Sequence, residues 1–331
     1  MRREDQLSAV EALGFTRRQA GFLVTVVLTS GVCVPRQYAQ HAGIALGHTT
    51  RDFFARLVTR HLATAYPCWQ GSARVYHVHN KGLYRAVGEP DNRHRRPTTV
   101  GRAIERLMVL DAVLADPATR WLATESEKLA HFRQARNLDA TDLPSVAFGP
   151  QQETVRYFPH KLPIGVLADG DRTVFLYLAT ESTGREFAAF LEAHRRLLQR
   201  LHRWTIRLCL PAPLATARAA HERVAADAVA SPLRPALLDE FRWFCEARRR
   251  TETGAPACPA ADQSRYQLAR RAFGAPRFYA AYRRWKREGE SLFNECRSPL
   301  LHDAWQRGDA HLEIHDLPHQ YLHLAPVVAT A

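Results

Sequence analysis

The sequence predicts an α+β protein in three parts. These are a helical amino-terminal module closed by a β-hairpin over residues 1–90, a central α/β domain over 100–250 and a basic, helical carboxy-terminal region over 265–331. Three observations predict it. Capping residues and apolar spacing lay out helices before residue 62; β-prone runs surround one long amphipathic stretch between residues 154 and 210; and two segments without apolar periodicity, 88–98 and 251–264, read as loops or linkers.

The first helix follows Thr16, which with Gln19 has capping-box spacing, and it directs Phe22, Leu23, Val26, Val27 and Leu28 to a core until Gly31 stops it. Pro35 suits a first helical position, so residues 35–41 form a short helix ended by Gly43. A third helix starts near Thr49, with Asp52 as reciprocal cap, and runs to about Leu62 on a stripe of Phe54, Leu57, Val58 and His61 or Leu62. Two β-prone runs follow, 64–66 and 74–79, around a turn at Trp69, Gln70, Gly71 and Ser72.

Helix, short helix, longer helix, hairpin is the order of a winged helix-turn-helix, in which one helix enters the major groove and the hairpin lies along phosphates. A helical wheel centred on Phe54 and Val58 turns Thr49, Asp52, Arg56, Thr59 and Arg60 outward. Arg56 and Arg60 are the candidates for base or phosphate contact. Arg36 and Gln37 on the short helix and Arg74 in the hairpin are candidates for the backbone, and Thr49 and Thr59 complete the set. His77 and His79 alternate on the same hairpin strand and could face phosphate. The partner is double-stranded DNA, and a homodimer is expected because two-fold symmetry doubles a short recognition site.

In the centre, residues 107–114 and 121–132 read as helices, the second capped by Thr124 and Glu127. Residues 154–158, 164–168 and 172–180 are β-prone, with a turn at Asp169, Gly170 and Asp171; an amphipathic helix over 182–202 and a strand over 205–210 complete an α/β core. Following the helix-turn-helix, the string TVRYFPHKLPIGVLADGDRTVFLYLATEST and its long helix resemble the replication-relaxation proteins of plasmids and integrative elements, over roughly residues 15–215. That resemblance implies a central domain similar to the restriction-endonuclease fold. In active domains of that fold, carboxylates on neighbouring strands hold Mg²⁺. This chain departs from the pattern: Ile164 follows Pro163, and Tyr177 and Ala179 stand where acids would be. Glu181, Asp169 and Asp171 are the nearest carboxylates, so a scaffold for dimerisation or a protein partner is expected rather than a nuclease.

The chain has 331 residues and a net charge of +13, with 46% hydrophobic and 24% charged residues, a balance suited to a folded core. Residues 1–100 carry 14 Lys and Arg against 6 Asp and Glu, which is +8 of that charge. Residues 261–290 carry a further +5, and Arg270, Arg271, Arg283, Arg284 and Arg287 there form a candidate auxiliary patch for an anionic partner. Among them, Phe278, Tyr282 and Trp285 have the spacing of a buried helical stripe. The longest apolar stretch, 21–34, is interrupted and too short for a membrane span, so no membrane association and a cytoplasmic location are expected. Six scattered cysteines fit neither a zinc site nor a disulfide framework. His311, Glu313, His315, His319 and His323 are the densest set of metal-ligand types, read as water-facing histidines; no metal or cofactor is expected.

The sequence thus points to a non-catalytic DNA-binding protein of a mobile genetic element, regulating transcription or replication. The alternatives are a Mg²⁺-dependent nuclease and a DNA-binding subunit of a recombination or defence complex.

Overall fold

A computed structural model describes residues 1–68, 73–149, 154–230 and 233–321 of this chain. The predicted turn at residues 69–72 and His323 lie outside them. The fold is mixed α+β. In chain order the elements are α1 (Arg3–Glu11), α2 (Arg17–Thr29), β1 (Val32–Cys33), α3 (Pro35–Ala42), α4 (His48–Thr59), β2 (Ala63–Pro67), β3 (Arg74–Val78), α5 (Lys81–Ala86), α6 (Val100–Leu114), β4 (Arg120–Leu122), α7 (Glu125–Leu129), β5 (Ser145–Phe148), β6 (Thr154–Tyr157) and β7 (Ile164–Val166). They continue with β8 (Arg172–Leu178), α8 (Arg185–Arg200), β9 (Arg203–Pro211), α9 (Arg218–Ala230), α10 (Pro235–Glu252), α11 (Gln263–Ala272), α12 (Pro276–Glu288), α13 (Ser291–Cys296), α14 (Leu300–Arg307) and β10 (Ala310–Leu317). Among the described residues no helix is long and apolar enough to cross a membrane.

The chain forms two compact units that cut across the segments drawn from sequence. The first comprises residues 1–128, 162–168 and 316–331, the second 129–161 and 169–315.

In the first unit, α2 starts on the Thr16–Gln19 capping box: Gln19 N donates to Thr16 Oγ1 at 3.3 Å and Thr16 N to Gln19 Oε1 at 3.2 Å. The helix buries Phe22, Leu23, Val24, Val26 and Val27 completely. Pro35 opens α3, and Gly43 closes it at φ 61°. β1, too short to stand out from sequence, pairs antiparallel with β3, which pairs with β2 through Ala63↔Val78 and Pro67↔Arg74. The resulting order is β1-β3-β2. Between α2 and β1 the chain turns at Gly31, at φ 69°, where a Cβ would stand 2.5 Å from the His94 carbonyl oxygen. Glycine is the residue that fits both the conformation and the space.

α6 begins seven residues earlier than predicted, capped by Thr99, and its Leu110 joins the core of Phe22, Phe53 and Phe54. It therefore belongs with the amino-terminal module. Trp121 is in a strand, not a helix: β4 pairs antiparallel with β7 through Trp121↔Gly165, and the Thr124–Glu127 capping box starts α7 only afterwards. The capping signal was correct, and the helix starts at it.

In the second unit, β8 and β9 are parallel, with Phe175 opposite Ile206, and α8 connects them, as parallel pairing requires. β9 lies between β8 and β10. β5 and β6 make a separate antiparallel pair. Helices α10 to α13 bury Phe241, Phe273, Tyr282, Trp285 and Phe293 in one cluster, so Phe278, Tyr282 and Trp285 are core as their spacing predicts. The segment 251–264, read as a loop or linker, runs through turns and bends over 253–259 and is mostly exposed, with Ala257 and Cys258 buried in that cluster.

Gly31→Ala should destabilise the protein by about 1–3 kcal/mol, because the new methyl meets the His94 backbone and the residue must hold a left-handed conformation. The urea midpoint checks this; an unchanged midpoint would contradict the constraint.

Candidate nucleic-acid interface

Aromatic contacts set the rotation of α4. Phe53 stacks on Tyr38 with ring centroids 4.2 Å apart, Phe22 meets Tyr38 edge-on at 5.2 Å, and Phe54 packs against Tyr76 of the hairpin at 4.3 Å. The buried face is Thr50, Phe53, Phe54 and Leu57. Val58, taken from sequence as part of that face, is 37% exposed. The helix is thus turned from the sequence wheel, and its solvent face carries His48, Thr49, Arg51, Asp52, Ala55, Val58, Thr59 and Arg60.

Thr49, Thr59, Arg60 and Arg74 are exposed as predicted. Arg56 is not: it is half-buried, donates to Gln19 Oε1 and lies 5.0 Å over the Phe15 ring, so it ties α4 back to α2. Arg60 also lies over Phe15, at 5.2 Å. Gly47 rather than a side chain caps α4, and Asp52 pairs with His48 at 2.7 Å instead of acting as a reciprocal cap. Arg51, missed by the wheel, takes the outward place on the amino-terminal half of the helix.

Arg51 lines a groove of about 1080 Å³ together with Leu46, Phe54, Tyr76 and, from β3, Arg74. Among the described residues no carboxylate lines this groove, and none pairs with Arg51 or Arg74. The site therefore presents cationic groups over an apolar floor, a surface suited to phosphates.

The short helix contributes differently from its sequence reading. Gln37 is fully buried. Its Nε2 donates to the Leu107 carbonyl at 2.9 Å and to Asp111 Oδ1 at 2.8 Å, while its Oε1 accepts from Val34 N at 3.0 Å. It cannot reach a phosphate. Arg36, with a side chain 30% exposed, also lines the groove, but its Nη2 donates to both Asp111 oxygens, at 2.8 and 3.0 Å, and to the Tyr321 hydroxyl at 2.7 Å. Asp111 and Tyr321 lie 75 and 285 residues from Arg36 in the chain, so no local sequence signal joins them. Burial and the adjacent Asp111 carboxylate push the Tyr321 hydroxyl above the usual tyrosine range. His77 is buried against the His94 carbonyl at 2.9 Å and His79 bonds Thr64 Oγ1 at 2.9 Å, so His77 does not face phosphate.

No protein-family model matches the chain, and neither a curated protein nor a solved structure matches it.

In the second unit, the carboxylates nearest the predicted nuclease strands bind backbone. Glu181 accepts from Thr183 N at 2.5 Å and Glu186 N at 3.3 Å, at the start of α8. Asp169 accepts from Asp171 N at 3.0 Å and Arg172 N at 3.3 Å, and Asp171 faces His202 at 3.5 Å. Tyr177 and Ala179 are buried. Glu313 pairs with Arg207 at 3.2 Å, and among the described residues no group of three His, Cys, Asp or Glu is placed to hold a metal ion.

The auxiliary patch loses one member. Arg270, Arg271 and Arg287 are exposed, and Arg283 is exposed with Glu186 3.5 Å away. Arg284 is 4% exposed and bonds Glu192 at 2.9 Å, Glu288 at 2.8 Å and Glu295. It faces inward because α12 packs its aromatic stripe on the core and Arg284 falls beside Trp285. Burial pushes the Glu192 carboxyl up, but the guanidiniums of Arg195 and Arg284 outweigh it and hold it below the usual range.

Arg284→Ala should cost about 3–5 kcal/mol, the penalty for stranding a buried charge. Glu192, with its lowered pKa, contributes stability that is present above the ordinary glutamate pKa and lost as pH falls through the depressed value. In the variant the lost guanidinium lets burial raise the folded-state pKa towards or above the ordinary value, so this acid-side loss should shrink or reverse. Thermal unfolding between pH 3 and 7 reads both effects; equal curves would show that the network contributes nothing.

Proposed function

We propose that the chain binds double-stranded DNA through its first unit, acting as a winged helix-turn-helix in which α4 is the recognition helix and the β2–β3 hairpin is the wing. The observation that carries this reading is the groove without a carboxylate among its described lining residues, to which α4 contributes Arg51, β3 contributes Arg74, and Phe54 and Tyr76 contribute apolar surface. The +8 balance of residues 1–100 supports it, since phosphate neutralisation supplies most non-specific affinity for DNA. Thr49, Thr59 and Arg60 extend the surface along the helix. Arg270, Arg271 and Arg287 supply a second basic surface that would add affinity without sequence preference.

The resemblance to replication-relaxation proteins leads us to read the chain as a regulator of transcription or replication on a mobile element, working as a homodimer. A non-catalytic role for the second unit is supported by the bonds of Glu181 and Asp169, whose oxygens cap a helix and a turn. A nuclease would need such carboxylates aimed into a shared cavity. Plasmid incubated with the purified chain and Mg²⁺ should stay intact; cleavage that disappears in Glu181→Gln would reverse the assignment.

Arg51→Ala and Arg74→Ala should each weaken binding to a 30-base-pair duplex at every sequence, and each should flatten the salt dependence by about one unit if the lost contact is a phosphate. Arg56→Ala should instead cost about 1 kcal/mol of stability through loss of its Gln19 bond and its ring contact. Fluorescence anisotropy at two salt concentrations separates these results. If the Arg51→Ala, Arg74→Ala double variant binds like the parent, this face is not the DNA site.

A further inference from the structure

We infer that the segment after β10, residues 318–321, is a latch that holds Arg36 away from DNA and closes one end of the groove. The inference rests on the DNA-binding reading of that groove. Pro318, His319 and Tyr321 line the same groove as Arg36, Arg51 and Arg74. Tyr321 is 4% exposed, and its hydroxyl donates to Asp111 Oδ2 at 2.6 Å and accepts from Arg36 Nη2 at 2.7 Å, with Gln37 Nε2, whose two hydrogens have closer acceptors in Leu107 and Asp111, 3.0 Å away. The hydroxyl is thus used both as donor and as acceptor. The cation it fixes stands at the amino end of α3, where a helix-turn-helix meets the sugar-phosphate backbone.

Three features make this contact releasable. A phosphate can replace a carboxylate as the bidentate partner of a guanidinium, so Arg36 has an equivalent partner on DNA. Asp111 is bonded by Gln37 Nε2 at 2.8 Å as well as by Arg36, so its carboxylate would retain one hydrogen-bond donor if Arg36 moved away. Tyr321 is held at φ 53°, a left-handed conformation that a non-glycine residue adopts at a cost, and the latch is therefore under backbone strain while closed. In the closed state the groove offers DNA Arg51 and Arg74; in the open state it offers Arg36 as well.

Tyr321→Phe tests the latch, because it removes the hydroxyl and keeps the ring. Binding of the full chain to a 30-base-pair duplex should become roughly fivefold tighter or more, the lower end of ordinary coupling between two sites. The salt dependence should steepen by about one phosphate contact, and the gain should vanish in the Tyr321→Phe, Arg36→Ala double variant. Equal or weaker binding by a Tyr321→Phe protein with unchanged circular dichroism would overturn the proposal. Hydrogen exchange of the unaltered chain is the independent measurement: amides of residues 319–321 should exchange faster with duplex bound, and equal or slower exchange overturns the latch even if the variant does not fold. If neither protein binds duplex at low salt, the DNA-binding reading fails and the latch falls with it, a result distinct from equal binding by both.

Discussion

Phe22, Tyr38, Phe53 and Phe54 meet where α2, α3 and α4 cross, and the stacked pair Tyr38–Phe53 at 4.2 Å fixes how far α4 is rotated about its axis. The consequences run outward from that contact. With Phe53 and Leu57 buried, Arg51 must face solvent and Arg56 must turn towards Phe15 and Gln19. With Phe54 against Tyr76, the hairpin is held beside the helix and brings Arg74 to the edge of the same groove. A stacked aromatic pair adds about 1 kcal/mol beyond the area it buries, but here its larger role is directional, because it decides which side chains are available to a partner.

Signals that act within one turn were legible in the sequence. Thr16 and Gln19, Pro35, Gly43 and the Thr124–Glu127 pair all mark true helix ends, since capping depends on residues three or four apart. Signals that need the rest of the fold were not. The wheel for α4 was centred on Phe54 and Val58, and Phe54 is buried as expected, yet Val58 is exposed because the face is set by Phe53 stacking on Tyr38. Gln37 and Arg36 were assigned to DNA as polar residues at a helix start, but a carboxylate and a hydroxyl from distant parts of the chain claim them. Arg284 was grouped with its charged neighbours, although one step around the helix from Trp285 places it in the core. β1, at two residues, has too little pattern to be read at all.

The two units use charge in different ways. In the second, buried carboxylates and guanidiniums are paired with one another, as in the contacts of Glu192, Arg195 and Arg284. Such networks cost desolvation and are useful for fixing one arrangement of helices rather than for net stability. In the first unit, Arg51 and Arg74 project over apolar surface, and the one groove arginine that is firmly paired, Arg36, is paired by a carboxylate and a hydroxyl that a phosphate could replace. That contrast is the physical basis for assigning recognition to the first unit and support to the second.

The central claim is that DNA covers the outward face of α4. Hydroxyl-radical footprinting of the full chain with and without duplex DNA tests it most directly, because Val58 is 37% exposed on that face and Leu46, 65% exposed, lines the groove just before α4, while Phe148, at 50%, lies on the separate β5–β6 pair. The account predicts that DNA protects Leu46 and Val58 from oxidation and leaves Phe148 unchanged. Unaltered oxidation of Leu46 and Val58 under conditions where the duplex is bound would contradict it.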